Sequence, residues 1–309
     1  MKKRIGIVGG SCVDIFATSA LPLIAHDSNP GTVNIGFGGV GRNIAENLAR
    51  LQQNAVLIAP FGQDPFSVHM KEYTQAAGVC TEHCLLAPEG KSPYYISVND
   101  SGGDMAVAIS DLNICDFITP EFLELKLNIC NTCQAVIVDT NIPKESIDYL
   151  AAHCAVPLLA EAVSTRKAIK LRSALPRLNA VKANLLETAA LLDIEVNNQP
   201  SSLQYAADCL HAIGIAHVFI TMGKLGAFYS TDGVQIMMES YQTKTVNTNG
   251  CGDAFSAAAF LQVIRQKSPE TVLQFALAAA AITAQSTQAV APRLSPSVID
   301  QFLVESRNE

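Results

Sequence analysis

Short apolar runs recur along the chain at residues 5–8, 55–59, 135–138, 157–159 and 217–221, each bounded by turn-forming residues. Continuous runs of that length predict strands buried on both faces. Between them, residues 43–52, 66–77, 144–153 and 201–213 place apolar side chains at the helical period. The alternation predicts an α/β fold with a doubly wound, mostly parallel sheet and helices on both faces.

Two segments break the rhythm. Residues 11–37 are extended without a helical period, and residues 94–98 and 105–109 flank an Asn-Asp-Ser-Gly-Gly turn, the pattern of a hairpin. We read 11–37 and 91–111 as a small β lid, and 1–10, 38–90 and 112–309 as the nucleotide-binding and catalytic core.

Composition narrows the partners. The 309 residues carry 28 acidic and 21 basic side chains, a formal net charge of −7, and no basic run longer than Lys2-Lys3-Arg4, which argues against nucleic acid. The apolar stretch 275–284 is about half the length a membrane span needs, and Asp14 interrupts the first apolar run too early for a signal peptide. Nine scattered cysteines in a large apolar chain point to a reduced, cytoplasmic protein. Cys130-x-x-Cys133 and the group Cys80, His83, Cys84 carry metal-ligand chemistry, but neither has a second pair at zinc-site spacing, so free thiols are the favoured reading.

The strongest chemical signal is Asn247-Thr248-Asn249-Gly250-Cys251-Gly252-Asp253, which runs straight into an Ala-rich helix. At a helix start, the amides of Gly250, Cys251 and Gly252 would point toward a phosphoryl group that gains charge during transfer. Asp253 would accept the proton of an attacking hydroxyl. The plain alternative is a glycine-rich turn capped by an Asp.

A second cluster, Gly36-Phe37-Gly38-Gly39-Val40-Gly41-Arg42-Asn43, also opens a helix. Gly38 and Gly39 leave backbone bare for close approach of a ligand, and Asn43 suits a sugar hydroxyl pair. The spacing is neither a dinucleotide fingerprint nor a Walker loop. A nicotinamide-dependent dehydrogenase, suggested by Gly6 to Gly10, fails on the same ground.

Together, the two glycine motifs resemble the paired signatures of the ribokinase-like (PfkB) carbohydrate kinase family. Asp14 stands where that family binds its sugar, Asn184-Leu185-Leu186-Glu187 resembles its Asn-x-x-Glu element, and Thr221-Met222-Gly223-Lys224-Leu225-Gly226 its nucleotide-binding turn. The resemblance implies ATP and Mg2+ as cofactors. Asn184, Glu187, Thr221, Gly223, Gly226 and Asn249 would serve the nucleotide, and Glu187 would meet the metal through water.

Within the family, Asp27-Ser28-Asn29-Pro30-Gly31, the helix start 38–49 and the lid exit 108–114 resemble the pseudouridine-kinase branch. That resemblance implies phosphorylation of a nucleoside 5′-hydroxyl, with Ser28, Asn29, Asp111 and Asn113 as readers of the base. Ribose, another nucleoside or a sugar remain alternative acceptors, as does a nucleoside-binding sensor without turnover. Several positions depart from the family pattern: Asn247, Asn249 and Cys251 in the phosphate loop, Glu161 at a strand end, and Ala183. Asn247 puts a monovalent cation such as K+ in question. A lid with an open edge also raises a homodimer through the lid.

Overall fold

The computed structural model describes residues 4–87 and 90–306, so Lys2 and Lys3 of the basic run lie outside the described residues. The strands are β1 (Arg4–Val8), β2 (Cys12–Ser19), β3 (Gly31–Gly38), β4 (Asn54–Ile58), β5 (Pro60–Phe61), β6 (Leu85–Leu86), β7 (Tyr94–Asn99), β8 (Met105–Asp111), β9 (Val136–Asp139), β10 (Leu158–Glu161), β11 (Ala180–Asn184), β12 (His217–Thr221), β13 (Ala227–Thr231) and β14 (Val234–Met238).

The main sheet has eight strands in the order β14-β13-β12-β11-β10-β9-β1-β4. Pairings from β4 through β12 are parallel, and β13 and β14 add an antiparallel edge. Alternation of side chains explains the two-sided core. Ile5, Ile7, Ile137 and Leu159 face one layer, formed by the helices Val40–Arg50, Cys251–Ile264 and Pro269–Ala284. Val8, Val136, Val138, Leu158 and Ala160 face the other, against Lys144–His153 and Pro200–Ile213. This is the doubly wound, mostly parallel arrangement that the apolar runs imply.

A separate four-stranded sheet, in the order β3-β2-β7-β8, stands beside the core. Its root is tied to the helix Pro65–Ala76 through Asp64, which caps that helix at Ser67 N and accepts from both Ser92 N and Ser92 Oγ at 2.6 Å. In the main sheet the chain leaves β1 toward β4 on one side, while β9 to β12 build outward on the other. The carboxyl ends of β1, β9, β10 and β11 therefore surround the crevice where such sheets bind ligands.

Candidate active site

Asp253 lies in the first turn of the helix Cys251–Ile264, whose N-cap is Gly250. Gly250 has φ +79, and a Cβ there would come within 1.8 Å of the Ala289 carbonyl oxygen, so only glycine fits this turn. Asn43, in the first turn of Val40–Arg50, donates Nδ2–H to Asp253 Oδ2 at 2.7 Å. The orientation of that amide is set by its neighbour. Arg42, 1% exposed, gives one N–H to Asn43 Oδ1 and others to the carbonyls of Gly38 (2.8 Å) and Phe37 (2.7 Å). Glu46 balances its charge at 2.6 Å and is shared with Arg50. The glycine loop and Asn43 are thus fixed by one buried guanidinium, a role the sequence did not announce.

Burial pushes the Asp253 carboxyl up to about 7, with Glu161 and Asp139 adding to the rise while the Asn43 hydrogen bond and Lys182 oppose it. A carboxylate poised there is matched to accepting a hydroxyl proton near neutral pH.

Beneath the phosphate loop lies a buried ion pair, Lys182 Nζ to Glu161 Oε1 at 2.9 Å. Ser256 Oγ donates to the other Glu161 oxygen and lies 2.9 Å from the Gly252 carbonyl, linking the pair to the helix start. Burial works against the Lys182 charge, yet the carboxylates of Glu161, Glu187 and Asp253 hold its pKa above the ordinary value. Its ammonium sits 3.3 Å from where a Cβ on Gly252 would be, so a cation backs the proposed anion hole. Just past Glu161, Val163 occupies the left-handed region at φ +66, a strained setting for a β-branched residue. Of the three amides expected to face a phosphoryl group, that of Cys251 is turned to the Thr248 carbonyl at 3.3 Å. The helix start has no side-chain cap, which leaves the first-turn amides of Gly252 and Asp253 without an intrahelical acceptor.

Asn184 and Glu187 form a reciprocal capping box: Glu187 N donates to Asn184 Oδ1 at 2.9 Å, and the Glu187 carboxylate accepts from Asn184 N and Nδ2, each at 2.8 Å. Burial raises the Glu187 pKa, and the nearby Lys182 opposes that rise. The β11–β12 register sets Thr221 beside Asn184, and the following turn Gly223–Leu225 has exposed backbone. Asn249 is exposed in the loop before Gly250.

Asp14, on β2, lies over Gly38, where a Cβ would meet its Oδ2 at 2.0 Å. Burial lifts its carboxyl to about 6, with the Cys12 thiol and Arg42 opposing. A buried carboxylate the sequence reading passed over, Asp139, accepts from Gly10 N (2.9 Å) and Asn141 N (2.7 Å) and so pins the turn after β1. A cavity of about 990 Å³ opens from Asp14 and Asn249 along the four-stranded sheet. It wraps the edge strand β3, so both faces of that strand contribute: Asn34 and Gly36 from one, Ile35 and Phe37 from the other.

The four expected base readers are not among the cavity's walls. Asn29 spends its side chain within its own loop, accepting from Ile24 N at 2.8 Å and donating to the carbonyls of Ile24 and Asp27 at 3.0 Å. Ser28 is exposed beside it, and Asn113 donates to Asp111 Oδ1 at 3.0 Å on the exposed end of the lid. The side chains of Asn29, Asp111 and Asn113 thus bond locally in this structure. The polar side chains of the four-stranded sheet that do reach the cavity are Asp14, Thr18, Asn34 and Asn99. Asp14, Phe16 and Thr18 follow the two-residue period of β2, the signal that could have found the inward positions.

Residues 3–295 match the family described as pfkB family carbohydrate kinase. The pseudouridine kinase of Escherichia coli strain K12 is 33% identical over 258 residues, covering 83% of this chain and 82% of that protein. A carbohydrate kinase from Agrobacterium tumefaciens superposes with a TM-score of 0.85 at 26% identity, covering 98% of this chain and 97% of that one. Arabidopsis thaliana ribokinase, solved with ribose and ATP, shares the fold at a TM-score of 0.85 and 20% identity, over 98% and 99% of the two chains.

Proposed function

The chain belongs to the pfkB family of carbohydrate kinases, and from that premise we propose that it transfers the γ-phosphoryl group of ATP to the 5′-hydroxyl of pseudouridine. The chain is an ATP-dependent sugar or nucleoside kinase. The observation that carries the chemistry is Asp253, held by Asn43 at 2.7 Å with its carboxyl near 7, at the start of an uncapped helix.

In this reading the acceptor's sugar hydroxyls meet the Asp14 carboxylate and Asn43, and its primary hydroxyl approaches Asp253, which takes the proton as the new O–P bond forms. The amides of Gly252 and Asp253, with Lys182 behind them, face the transferred phosphoryl group. The exposed turn Gly223–Leu225, set between Thr221 and the buried Gly226, offers backbone to the nucleotide, and Asn184 orients its phosphates. The family uses ATP with Mg2+, which neutralises charge between the phosphates. Glu187 fits an outer role toward that ion: each carboxylate oxygen already accepts one hydrogen bond from Asn184 and retains a lone pair for a water of a hydrated cation.

A neutral acceptor is favoured by the cavity walls. Among the described residues the one guanidinium in those walls, Arg42, is paired with Glu46, and no lysine lines them, which disfavours a sugar phosphate. The volume of about 990 Å³ also leaves room for more than a pentose. All nine cysteines are free, which fits a reducing cytoplasm.

A homodimer through the lid is supported by Val33 (64% exposed), Ile35 (53%), Val107 (54%) and Ile109 (65%), which form an uncovered apolar patch on one face of its sheet. Sedimentation as a 32.9 kDa monomer at micromolar concentration would contradict that assembly.

The acceptor is tested by incubating the protein with MgATP and, separately, pseudouridine, uridine, ribose and adenosine, following ADP and the product mass. Fast turnover with pseudouridine alone supports the proposal. Another preferred acceptor overturns it within the kinase class, and pseudouridine binding without ADP release would make the protein a sensor.

A further inference from the structure

The edge of the main sheet carries a group of side chains that the kinase chemistry does not use. Cys80 follows the helix Pro65–Ala76 and joins β4, the last strand of the sheet: its N–H donates to the Ala55 carbonyl and its carbonyl accepts from Leu57 N, both at 2.9 Å. The chain then turns through Thr81, Glu82 and His83, and Cys84 N closes the turn on the Thr81 carbonyl at 3.2 Å. Beyond it, Leu85 N donates to Ala59 O at 3.0 Å, so both ends of the turn are fixed to the sheet.

One thiol, one carboxylate and one imidazole project from this turn. The ligand atoms of Cys80, Glu82 and His83 all lie within 4.8 Å of one another. Glu82 is exposed and the other two are half-buried, so an ion can enter. Among the described residues none of the three side chains has a hydrogen bond or ion pair. Cys84, grouped with them from the sequence, faces away: its thiol lies 3.2 Å from the Leu57 carbonyl, and burial pushes its pKa up to about 12.

We propose that Cys80, Glu82 and His83 form a binding site for a zinc-like divalent ion, separate from the kinase site. Thiolate and imidazole select a borderline-soft ion over Mg2+, which takes oxygen ligands. Ligands of a tetrahedral zinc stand roughly 3.3–3.8 Å apart at ordinary bond lengths, a side-chain adjustment away on this turn. Three protein ligands leave the fourth position for water. The bound ion staples the turn onto β4, the last parallel strand of the sheet.

The test is a titration of the metal-stripped full-length protein with Co2+, followed by absorbance, then displacement by Zn2+. The expected result is one equivalent bound, with thiolate-to-metal charge-transfer absorption and tetrahedral visible bands that Zn2+ removes. Cys80→Ser should abolish the charge-transfer band, and His83→Ala should weaken binding at least tenfold. Glu82→Gln, at an exposed position, keeps the fold and should weaken it less. Zn2+ should raise the melting temperature of the wild type and not of Cys80→Ser, with MgATP-dependent turnover unchanged in both. No charge-transfer band at stoichiometric Co2+, or a band that survives in Cys80→Ser, overturns the site.

Discussion

Asn43 Nδ2 and Asp253 Oδ2 stand 2.7 Å apart although 210 residues separate them in the chain. Each sits in the first turn of a helix entered through glycine, so the contact joins the two glycine motifs into one site. Arg42 fixes the amide so that its N–H side faces Asp253.

Removing that hydrogen bond should be visible in rate and in pH dependence together. Asn43→Ala is expected to lower kcat/KM by roughly 10- to 100-fold, as for loss of a positioning contact to a general base. The Asn43 bond lowers the Asp253 pKa, so the variant's acidic limb should move to higher pH. A rate loss with an unmoved limb would assign Asn43 to substrate binding alone.

The base must be ionised to work, so kcat should rise with pH through about 7 and fall on the acid side. Stability runs the other way. The folded-state pKa of Asp253 lies above its unfolded value of 3.8, so its contribution is fully present below 3.8 and lost as pH rises through about 7. Asp253→Asn should therefore melt higher than wild type above pH 7, with the gap closing in acid; thermal melts across pH read this directly.

Glu161 joins Lys182 and Ser256 in one buried network, with Lys182 7% and Glu161 3% exposed. Breaking one side, as in Lys182→Met, leaves an uncompensated carboxylate and should cost roughly 3–5 kcal/mol by denaturant unfolding. Glu161→Asp keeps the charge but shortens the arm, so it should lose one of its two partners and reduce kcat as the helix start loosens. A variant of wild-type stability would show that the network carries little.

Asn247 bears on the monovalent cation. Its Nδ2 donates to the Thr287 carbonyl at 3.3 Å and its Oδ1 accepts from Asn249 N at 2.9 Å, so an uncharged amide ties the two loops. Exchanging K+ for Na+ or for an organic cation should change turnover by less than about twofold. A loss of an order of magnitude would show that the loop needs the ion.

The legible parts of this protein were those carried by backbone and by runs of apolar residues. The strand His217–Thr221 and the helix Lys144–His153 fall where their patterns predict, because each buries a face that its own sequence encodes. Strand β11 was missed because Lys182 interrupts its apolar run, and Lys182 is tolerated there only because Glu161 is brought to it from another strand. The β13–β14 hairpin was also missed, although Asp232-Gly233, both at positive φ, is a strong hairpin turn signal. At the site, the glycine turns and Asp253 could be read directly. The guanidinium clamp of Arg42 could not, since its partners depend on the folded loop. Ser28, Asn29, Asp111 and Asn113 are polar residues of a lid, and only the fold shows that Asn29, Asp111 and Asn113 bond locally and that none of the four lines the cavity.

The central claim is that Asp253 activates the acceptor hydroxyl. The most direct measurement is kcat of Asp253→Asn with MgATP and pseudouridine, alongside the dissociation constant for pseudouridine by calorimetry. The account predicts a fall in kcat of roughly 10²- to 10⁴-fold with binding nearly unchanged. A near-normal kcat in a folded variant that binds the nucleoside would contradict it.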